Sequence, residues 1–463
     1  MGVTDAVVGW MKHADRAARM VFWRVAYGRS FRPVKRWPQP TRNRHTPRMA
    51  TRPRSVDAVV VGAGQAGLVA SWHLGRAGRE HVVLDRRPTA GGGWHDRWDA
   101  FRLVSPNFVA SLPDFPYDGP EPDAFMTRDE MLARIRAYAG AVGAPVEGST
   151  EVRRLTTDGV SGRRFHLETS QGPLDTDQVI VATGAFHVPR IPSAAAPFSA
   201  RLLQLHAHDY RSPDDLPPGG VLVIGSGQTG VQLAEELHDA GRDVVLSVGR
   251  CGRVPRRYRD RDVFWWLREL VERGPAVGTT LPTVAQLPDP RARFAGNPTL
   301  SGHRGGHDTN LRQMGLDGIR LAGRFEGADG ETARFGADLA ANLQFADEFF
   351  DARFRPLIDA YAERTGIELG PDDRAWPQHD PPELTELDLA RTGISTILWT
   401  TGYAPDYRWI DLRIHDEFGV PRHERGISDV RGLTFLGMLF QHDNASANLV
   451  GVARDAAYLA ERW

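Results

Sequence analysis

The sequence predicts an α/β protein built from two parallel-sheet units, and three observations lead there. Short runs of β-branched and aliphatic residues alternate with apolar patterns of helical period. Two strand-to-helix junctions carry the same glycine spacing, Gly62-Ala63-Gly64-Gln65-Ala66-Gly67 and Gly225-Ser226-Gly227-Gln228-Thr229-Gly230. At 463 residues, 41% of them hydrophobic, the chain is long enough to fill two or three cores. One such glycine turn is weak evidence, because the pattern arises by chance. Two of them, each after a buried strand and before an apolar helix, imply two dinucleotides held in one protein. The expected architecture is therefore two Rossmann-like dinucleotide-binding domains, the second inserted in the first.

Residues 57–61 read as a buried parallel strand, 65–78 as the following helix and 81–85 as the second strand. Asp85 closes that strand about 20 residues beyond the glycines, where a carboxylate accepts hydrogen bonds from a ribose diol. A turn-capping surface aspartate is the plainer alternative. Gly91-Gly92-Gly93-Trp94 and Phe101-Arg102-Leu103-Val104-Ser105-Pro106-Asn107 follow. Glycines there let backbone approach a flat ring system, or simply form a loop. Thr127 and Glu130 stand in capping-box spacing at the start of a helix over 126–138. Residues 152–156 and 164–169 suggest a hairpin, and 178–184 a return to the sheet.

The second unit repeats this outline with a strand at 221–224, a helix at 229–240 and a strand at 243–248. It closes on Ser247-Val248-Gly249-Arg250, with no acid. A carboxylate there would repel a 2′-phosphate, whereas a guanidinium grips one, so the pattern favours NADPH over NADH. Arg253, Arg256, Arg257 and Arg259 extend the positive field or form a solvated basic face. Farther on, 263–272 and 339–364 read as helices, 371–387 as a surface linker, 395–399 and 433–438 as strands. A helix over 448–462 closes the chain, its first N–H groups free to face the top of the sheet.

A net charge of −1 gives no steering toward nucleic acid or an anionic membrane, and no stretch reaches the 18 apolar residues of a membrane span. The expected partner is a small molecule, and the expected setting cytoplasmic; oligomeric state is open. A lone cysteine, Cys251, rules out intrachain disulfides and removes the paired thiols through which flavin disulfide reductases pass electrons. His303, His307 and His442 lack metal-ligand spacing, so no metal is expected. Residues 1–55 carry thirteen Lys or Arg against Asp5 and Asp15 alone. An organelle-targeting leader is one reading. Lys12 and Lys35 are the only lysines in the chain, a bias that suggests instead a bacterial sequence of high GC content. Residues 1–48 are then a disordered tail or an over-extended start ahead of Met49.

Together these residues resemble the class B flavin-containing monooxygenases, in particular a bacterial branch related to plant YUCCA-type enzymes. The resemblance runs from about Val56 to the C-terminus. It rests on both glycine turns, Gly91-Gly92-Gly93-Trp94, Ala182-Thr183-Gly184, His206-Ala207-His208-Asp209-Tyr210, the arginines after Ser247, and Trp399-Thr400-Thr401-Gly402-Tyr403. The family's Phe-x-Gly-x-x-x-His-x-x-x-Tyr/Phe signature matches at His206 and Tyr210. It departs at Ala200, two residues after Phe198, and His206 is two residues too far on. Thr400 stands where the family more often has Ala.

Outside the resemblance lies the basic leader (1–55); within it, the resemblance implies a first part of an FAD-binding domain (56–190), an NADPH-binding domain with a helical substrate-side insertion (191–387) and a second FAD part (388–463). It implies FAD on Gly62, Gly64, Gln65, Ala66, Gly67 and Asp85, with Gly92, Gly93, Trp94, Thr183, Gly184, Thr401 and Gly402 around it. NADPH falls to Gly225, Gly227, Gln228, Thr229, Gly230, Ser247 and Arg250. By the same resemblance, NADPH reduces the flavin and O2 then forms a C4a-hydroperoxide. One oxygen passes to a nucleophilic nitrogen, sulfur or 2-oxo acid substrate. Asn107, His206 and Tyr210 are the expected catalytic positions. A flavin oxidase without oxygen insertion and a non-catalytic redox sensor remain as alternatives. The substrate pocket is expected mainly from 262–385.

Overall fold

The computed structural model describes residues 53–157, 161–372 and 374–463. The expected leader thus lies, but for its last three residues, outside the described residues. From Pro53 to Trp463 the chain is one compact unit.

β1 (Arg54–Val61) enters a buried sheet and turns through the first glycine motif into α1 (Gln65–Arg76). β2 (His81–Leu84) follows. α2 (Arg128–Ala141) begins on the expected capping box: Glu130 N–H donates to the Thr127 hydroxyl while the Glu130 carboxylate accepts from Thr127 N–H at 2.7 Å. Such a box stabilises a helix start by about 1 kcal/mol. β3 (Val146–Glu147), β4 (Val152–Thr156), β5 (Phe165–Thr169) and β6 (Gly172–Val181) complete this part. β7 (Val188–Pro189) then leads away, toward β8 (Leu203–His206).

The second motif joins β9 (Gly220–Ile224), buried throughout, to α3 (Gln228–Asp239), and β10 (Val244–Ser247) follows. A small hairpin, β11 (Arg257–Tyr258) and β12 (Arg261–Asp262), precedes α4 (Val263–Glu272), which Asp262 caps. Next come α5 (Leu311–Leu316), β13 (Arg320–Ala322), β14 (Phe325–Asp329) and β15 (Thr332–Phe335). The helix expected over 339–364 is two, α6 (Leu339–Arg353) and α7 (Arg355–Thr365). Pro356 explains the break: it carries no N–H to continue the ladder and so serves as a helix start. β16 (Glu386–Asp388), β17 (Ile394–Trp399), β18 (Tyr403–Ala404), β19 (Leu433–Phe435) and α8 (Leu449–Ala460) end the chain.

Two sheets result. One has the order β3-β2-β1-β6-β5-β4, with β19 also on β6; β3, β2, β1, β6 and β19 run parallel. The other is wholly parallel, in the order β13-β10-β9-β17-β8. A domain boundary at 388 is therefore corrected. β17 pairs with β8 and β9 in the second sheet, and only β19 returns to the first. A short, fully buried strand looks alike wherever it inserts, so its residues did not reveal which sheet receives it. One core passes through both sheets, including Val60, Leu68 and Ile180 with Val223, Leu233 and Leu246.

Candidate functional site

Each glycine turn is a cradle from which side chains are sterically excluded. Gly62 has φ +111°, and a Cβ there would lie 2.5 Å from the Ala182 carbonyl oxygen; one on Gly67 would lie 1.8 Å from the Gly62 oxygen. A Cβ on Gly92 would meet the Gly64 backbone at 2.8 Å, so the Gly91–Trp94 loop packs directly on the first motif. The second turn repeats this design. Gly225 has φ +112°, a Cβ there would sit 2.9 Å from the Thr400 carbonyl oxygen, and one on Gly230 would sit 1.8 Å from the Gly225 oxygen.

Both cradles open onto a helix start that lacks a side-chain cap, as α6 and α7 also do, but here the start follows directly on a glycine turn. α1 and α3 begin on Gly64 and Gly227, with no side-chain cap and no acid in the first turn. By contrast, Thr127, Asp262, Asn310 and Asn448 cap α2, α4, α5 and α8. Uncapped N–H groups at the positive end of the helix dipole suit a phosphate. The same comparison corrects the expectation for α8, whose first N–H groups at Val450 and Gly451 are taken by the Asn448 side chain.

Asp85 is buried and turned onto the first motif. Its Oδ2 accepts from Ala63 N–H at 2.7 Å and its Oδ1 from Arg87 N–H at 2.8 Å. Each oxygen keeps a second acceptor site, so the group both fixes the turn and suits a diol. Thr183 Oγ1 and Gln65 Oε1 are buried without a protein partner. Gly184 has φ +78°. These orphaned polar atoms and the glycine cradle match the edges of a dinucleotide. Trp94 lies 6.0 Å from Phe101, centroid to centroid. Close by, Arg97 lies over the rings of Phe186 (4.8 Å) and Phe101 (5.5 Å). Burial lowers its pKa, against the pull of Tyr403 and Asp96.

In the second sheet several expected cofactor ligands turn out to hold the protein itself together. The Gln228 side chain exchanges two hydrogen bonds with the Leu300 backbone. The Ser247 hydroxyl donates to the Gly323 carbonyl and accepts from Phe325 N–H, both at 3.0 Å. Thr229 begins α3 beside Gln228. Arg250 lies on the surface with its guanidinium 4.3 Å from the Phe345 ring. Burial of the guanidinium, and then the positive charge of nearby Arg353, lower its pKa.

In the rest of the arginine run, Arg253 and Arg256 are buried and ion-paired, whereas Arg257 is exposed. Arg253 is 3% exposed and bonds Asp347 through Nε at 3.1 Å and Nη2 at 2.7 Å. Arg256, equally buried, is paired with Asp262 at 2.7 Å. Arg257 and Arg259 donate to the carbonyls of Asp260 and Gly370.

His206 is buried with both ring nitrogens engaged. Nε2 faces the Gly402 carbonyl at 3.1 Å, so it donates, and Nδ1 accepts from His208 N–H at 3.0 Å. Burial lowers its pKa and keeps it neutral. Tyr210 donates to Glu236 Oε1 at 3.0 Å, and burial pushes that carboxyl up to about 7, against the Tyr210 and Trp98 donors. Thr401 donates to the Arg190 carbonyl, and Arg190 N–H to the Gly402 carbonyl at 3.0 Å. Arg190 and His206 thus tie the ends of β7 and β8 to the segment after β17, and Tyr210 ties the turn after β8 to α3.

Thr400, noticed in the sequence only as a departure, donates from Oγ1 to the carbonyls of Ile224 (2.9 Å) and Gly225 (2.7 Å). It closes the second cradle from beneath.

Asn107 is 6% exposed and faces a cavity of about 570 Å³. Its Nδ2 donates to the Glu121 carbonyl at 2.9 Å and the Tyr117 hydroxyl at 3.3 Å, while Oδ1 is buried without a protein partner. Most of this cavity's wall comes from 102–134, with Gly302, Arg304 and Gly305 from the later region. Among the described residues no group of three His, Cys, Asp or Glu is placed to hold a metal, and no helix is long and apolar enough to cross a membrane.

Comparison with known proteins follows this geometry. Residues 59–272 match the family model described as pyridine nucleotide-disulphide oxidoreductase. An uncharacterized CzcO-like oxidoreductase of Geobacillus kaustophilus is 28% identical over 407 residues, 87% of this chain and 97% of that protein. The rice indole-3-pyruvate monooxygenase YUCCA1 is 30% identical over 193 residues, 41% of this chain and 47% of its own. A solved flavin-containing monooxygenase from Stenotrophomonas maltophilia superposes with a TM-score of 0.60 at 20% identity, over 88% of this chain and 98% of that one. At that identity the superposition speaks for the fold alone.

Proposed function

We propose that this chain, which belongs to the class B flavin-containing monooxygenase family and is an FAD- and NADPH-dependent oxidoreductase, transfers one oxygen atom of O2 to a small nucleophilic organic substrate. Amines, sulfides and 2-oxo acids are the classes in view. NADPH and a proton supply the reducing equivalents, and the second oxygen leaves as water. The observation that carries the reading is the pair of uncapped cradles on two sheets of one compact unit, with one cysteine and hence no dithiol relay. We read the two sheets as two Rossmann-type domains, the second inserted in the first.

On this reading Gly62–Gly67, Asp85, Gly92–Trp94 and Thr183–Gly184 hold FAD, and Gly225–Gly230 receives the NADPH pyrophosphate. When bound, FAD supplies the redox chemistry that activates O2. Arg250 and Arg353, close enough to lower the Arg250 pKa, form the cationic pair that takes the 2′-phosphate. The Asn107 amide, held at Nδ2 by Tyr117 and Glu121, presents Oδ1 at the cavity wall, where it accepts from a donor on the substrate or cofactor. His206 and Tyr210, with every donor committed, act as positioning residues. They hold the segment after β17, and α3, onto the edge of the second sheet.

NADPH-dependent O2 uptake against a panel of amines, sulfides, ketones and 2-oxo acids, with products followed by mass, tests the reading. Uptake coupled to a product heavier by one oxygen supports it. Uptake that yields only hydrogen peroxide with every compound refutes oxygen insertion.

A further inference from the structure

The turn from Gly302 to Gly306 closes one side of the Asn107 cavity, which Gly302, Arg304 and Gly305 line. It presses closely on the adjoining wall. A Cβ on Gly302 would lie 1.8 Å from the Leu103 carbonyl oxygen, and one on Gly306 2.5 Å from the Phe125 ring. Arg304, Gly305 and Gly306 all take left-handed backbone, at φ +50°, +79° and +88°, which an arginine keeps only where its surroundings hold it. Ser301 and His307 join the ends of the turn by two backbone hydrogen bonds of 3.1 Å. Two side chains carry the turn onto α3. Arg304 meets Asp239, but both are exposed, and such a pair contributes little. His307 meets Glu235, one helical turn earlier, through Nε2 at 2.7 Å, and both side chains are mostly buried. The other ring nitrogen, Nδ1, lies 3.1 Å from the His303 carbonyl oxygen. One nitrogen thus faces a carboxylate and the other a carbonyl, so only the doubly protonated ring makes both bonds. A neutral ring must give one up. The second Glu235 oxygen is buried with no partner among the described residues, which leaves His307 as the cation opposite that charge.

We propose that His307 is a positioning residue that works as a proton-dependent clasp: as an imidazolium it fastens the 302–306 turn to α3, and on losing its proton it frees that wall of the cavity. The inference rests on the monooxygenase reading for the cavity's meaning as a substrate site, but not for the clasp itself. The other charged or titratable groups around the ring are His303 and Arg304 on the turn, Asp308 beside it, Asp239 on α3, Asp317 after α5, and Arg102 across the cavity. Of these only His303 titrates near neutral pH. Burial lowers its pKa, so it is already neutral where His307 changes. The Glu235 hydrogen bond outweighs burial and raises the His307 pKa above 6.5. The clasp is therefore closed below pH 6.5 and opens as pH rises through the higher folded value.

The test is amide hydrogen exchange of the FAD-loaded full chain, read by mass from about pH 6 to about pH 9 and corrected for the intrinsic pH dependence of exchange. Protection of peptides covering 301–307 and 101–107 should fall together by roughly tenfold, the change expected for one charge-assisted hydrogen bond discounted for partial exposure. Protection of 220–224, the buried strand β9, should stay unchanged and serves as the control. His307→Gln should show the weaker protection throughout, without pH dependence. Glu235→Gln should move the fall toward the ordinary histidine range, near pH 6.5. Protection of 301–307 that is flat in pH overturns the inference, and that measurement needs no variant. So does a His307→Gln protein that keeps the pH dependence, because the proton then belongs to another group. A fall at 301–307 with 101–107 unmoved overturns the link to the cavity. Product formation with NADPH and O2, followed in the same preparation, keeps the two readings apart. A pH-dependent turn without oxygen insertion sinks only the proposed function, and oxygen insertion with a pH-independent turn sinks only the clasp.

Discussion

Substitution of Glu236 by Gln should change how stability varies with pH, and its size follows from the site. Glu236 lies on α3, the helix that begins at the second glycine cradle, and accepts from Tyr210 at 3.0 Å. Burial raises its pKa from 4.5 to about 7. The folded protein therefore holds this proton more tightly than the unfolded chain does. Stability from the group is complete below pH 4.5 and is lost as pH rises through about 7. A rise of that size corresponds to about 3 kcal/mol at full burial, and partial exposure reduces it to about 2 kcal/mol. Gln keeps the acceptor for Tyr210 and never ionises. Glu236→Gln should thus gain about 2 kcal/mol on the native protein between pH 4.5 and pH 8, about 2–3 °C in Tm for a unit of this size. Thermal unfolding of both proteins across that range, plotted as a difference, is the assay. A difference flat in pH would refute the claim that this carboxyl is held protonated.

The other predictions concern the cradles. Gly67→Ala places a Cβ 1.8 Å from the Gly62 carbonyl oxygen, so the purified variant should carry little or no flavin; near-stoichiometric FAD by absorbance would show that the turn is not a cofactor cradle. Arg250→Ala should raise the KM for NADPH by roughly 10- to 100-fold and leave NADH nearly unchanged, a loss of about 1.5–3 kcal/mol. Steady-state kinetics with both nucleotides would remove Arg250 from the 2′-phosphate site if the two losses were equal. Thr400→Ala deletes a hydroxyl that donates at 2.9 and 2.7 Å to Ile224 and Gly225. It should fold, cost about 1 kcal/mol in denaturant titration and raise the KM for NADPH by less than tenfold. A cost within error would mean the hydroxyl does not support the turn.

The glycine turns were legible because their requirement is local. At φ +111° and +112°, with backbone pressed against the missing Cβ, no other residue serves, and a strand and helix must flank the turn. The Thr127–Glu130 box was legible for the same reason. What escaped depends on distant partners. Arg253 reads as free charge until Asp347, far along the chain, closes on it, and the Ser247 hydroxyl as a ligand until the Gly323–Phe325 segment arrives beside β10. β17 looked like any buried strand, and three-residue β13 was too short to show a period. The break between α6 and α7 did carry a signal, Pro356, which the apolar pattern on either side concealed. His307 could be picked out only once the fold brought Glu235 of α3 against it.

Turnover of methyl phenyl sulfide with NADPH under isotopically heavy O2 tests the central claim most directly. The account predicts a sulfoxide carrying one heavy oxygen, formed in step with NADPH consumption and only by protein that holds FAD. Flavin-loaded protein that consumes NADPH and heavy O2 with this sulfide and with the wider substrate panel, yet leaves every product unlabelled, would contradict it.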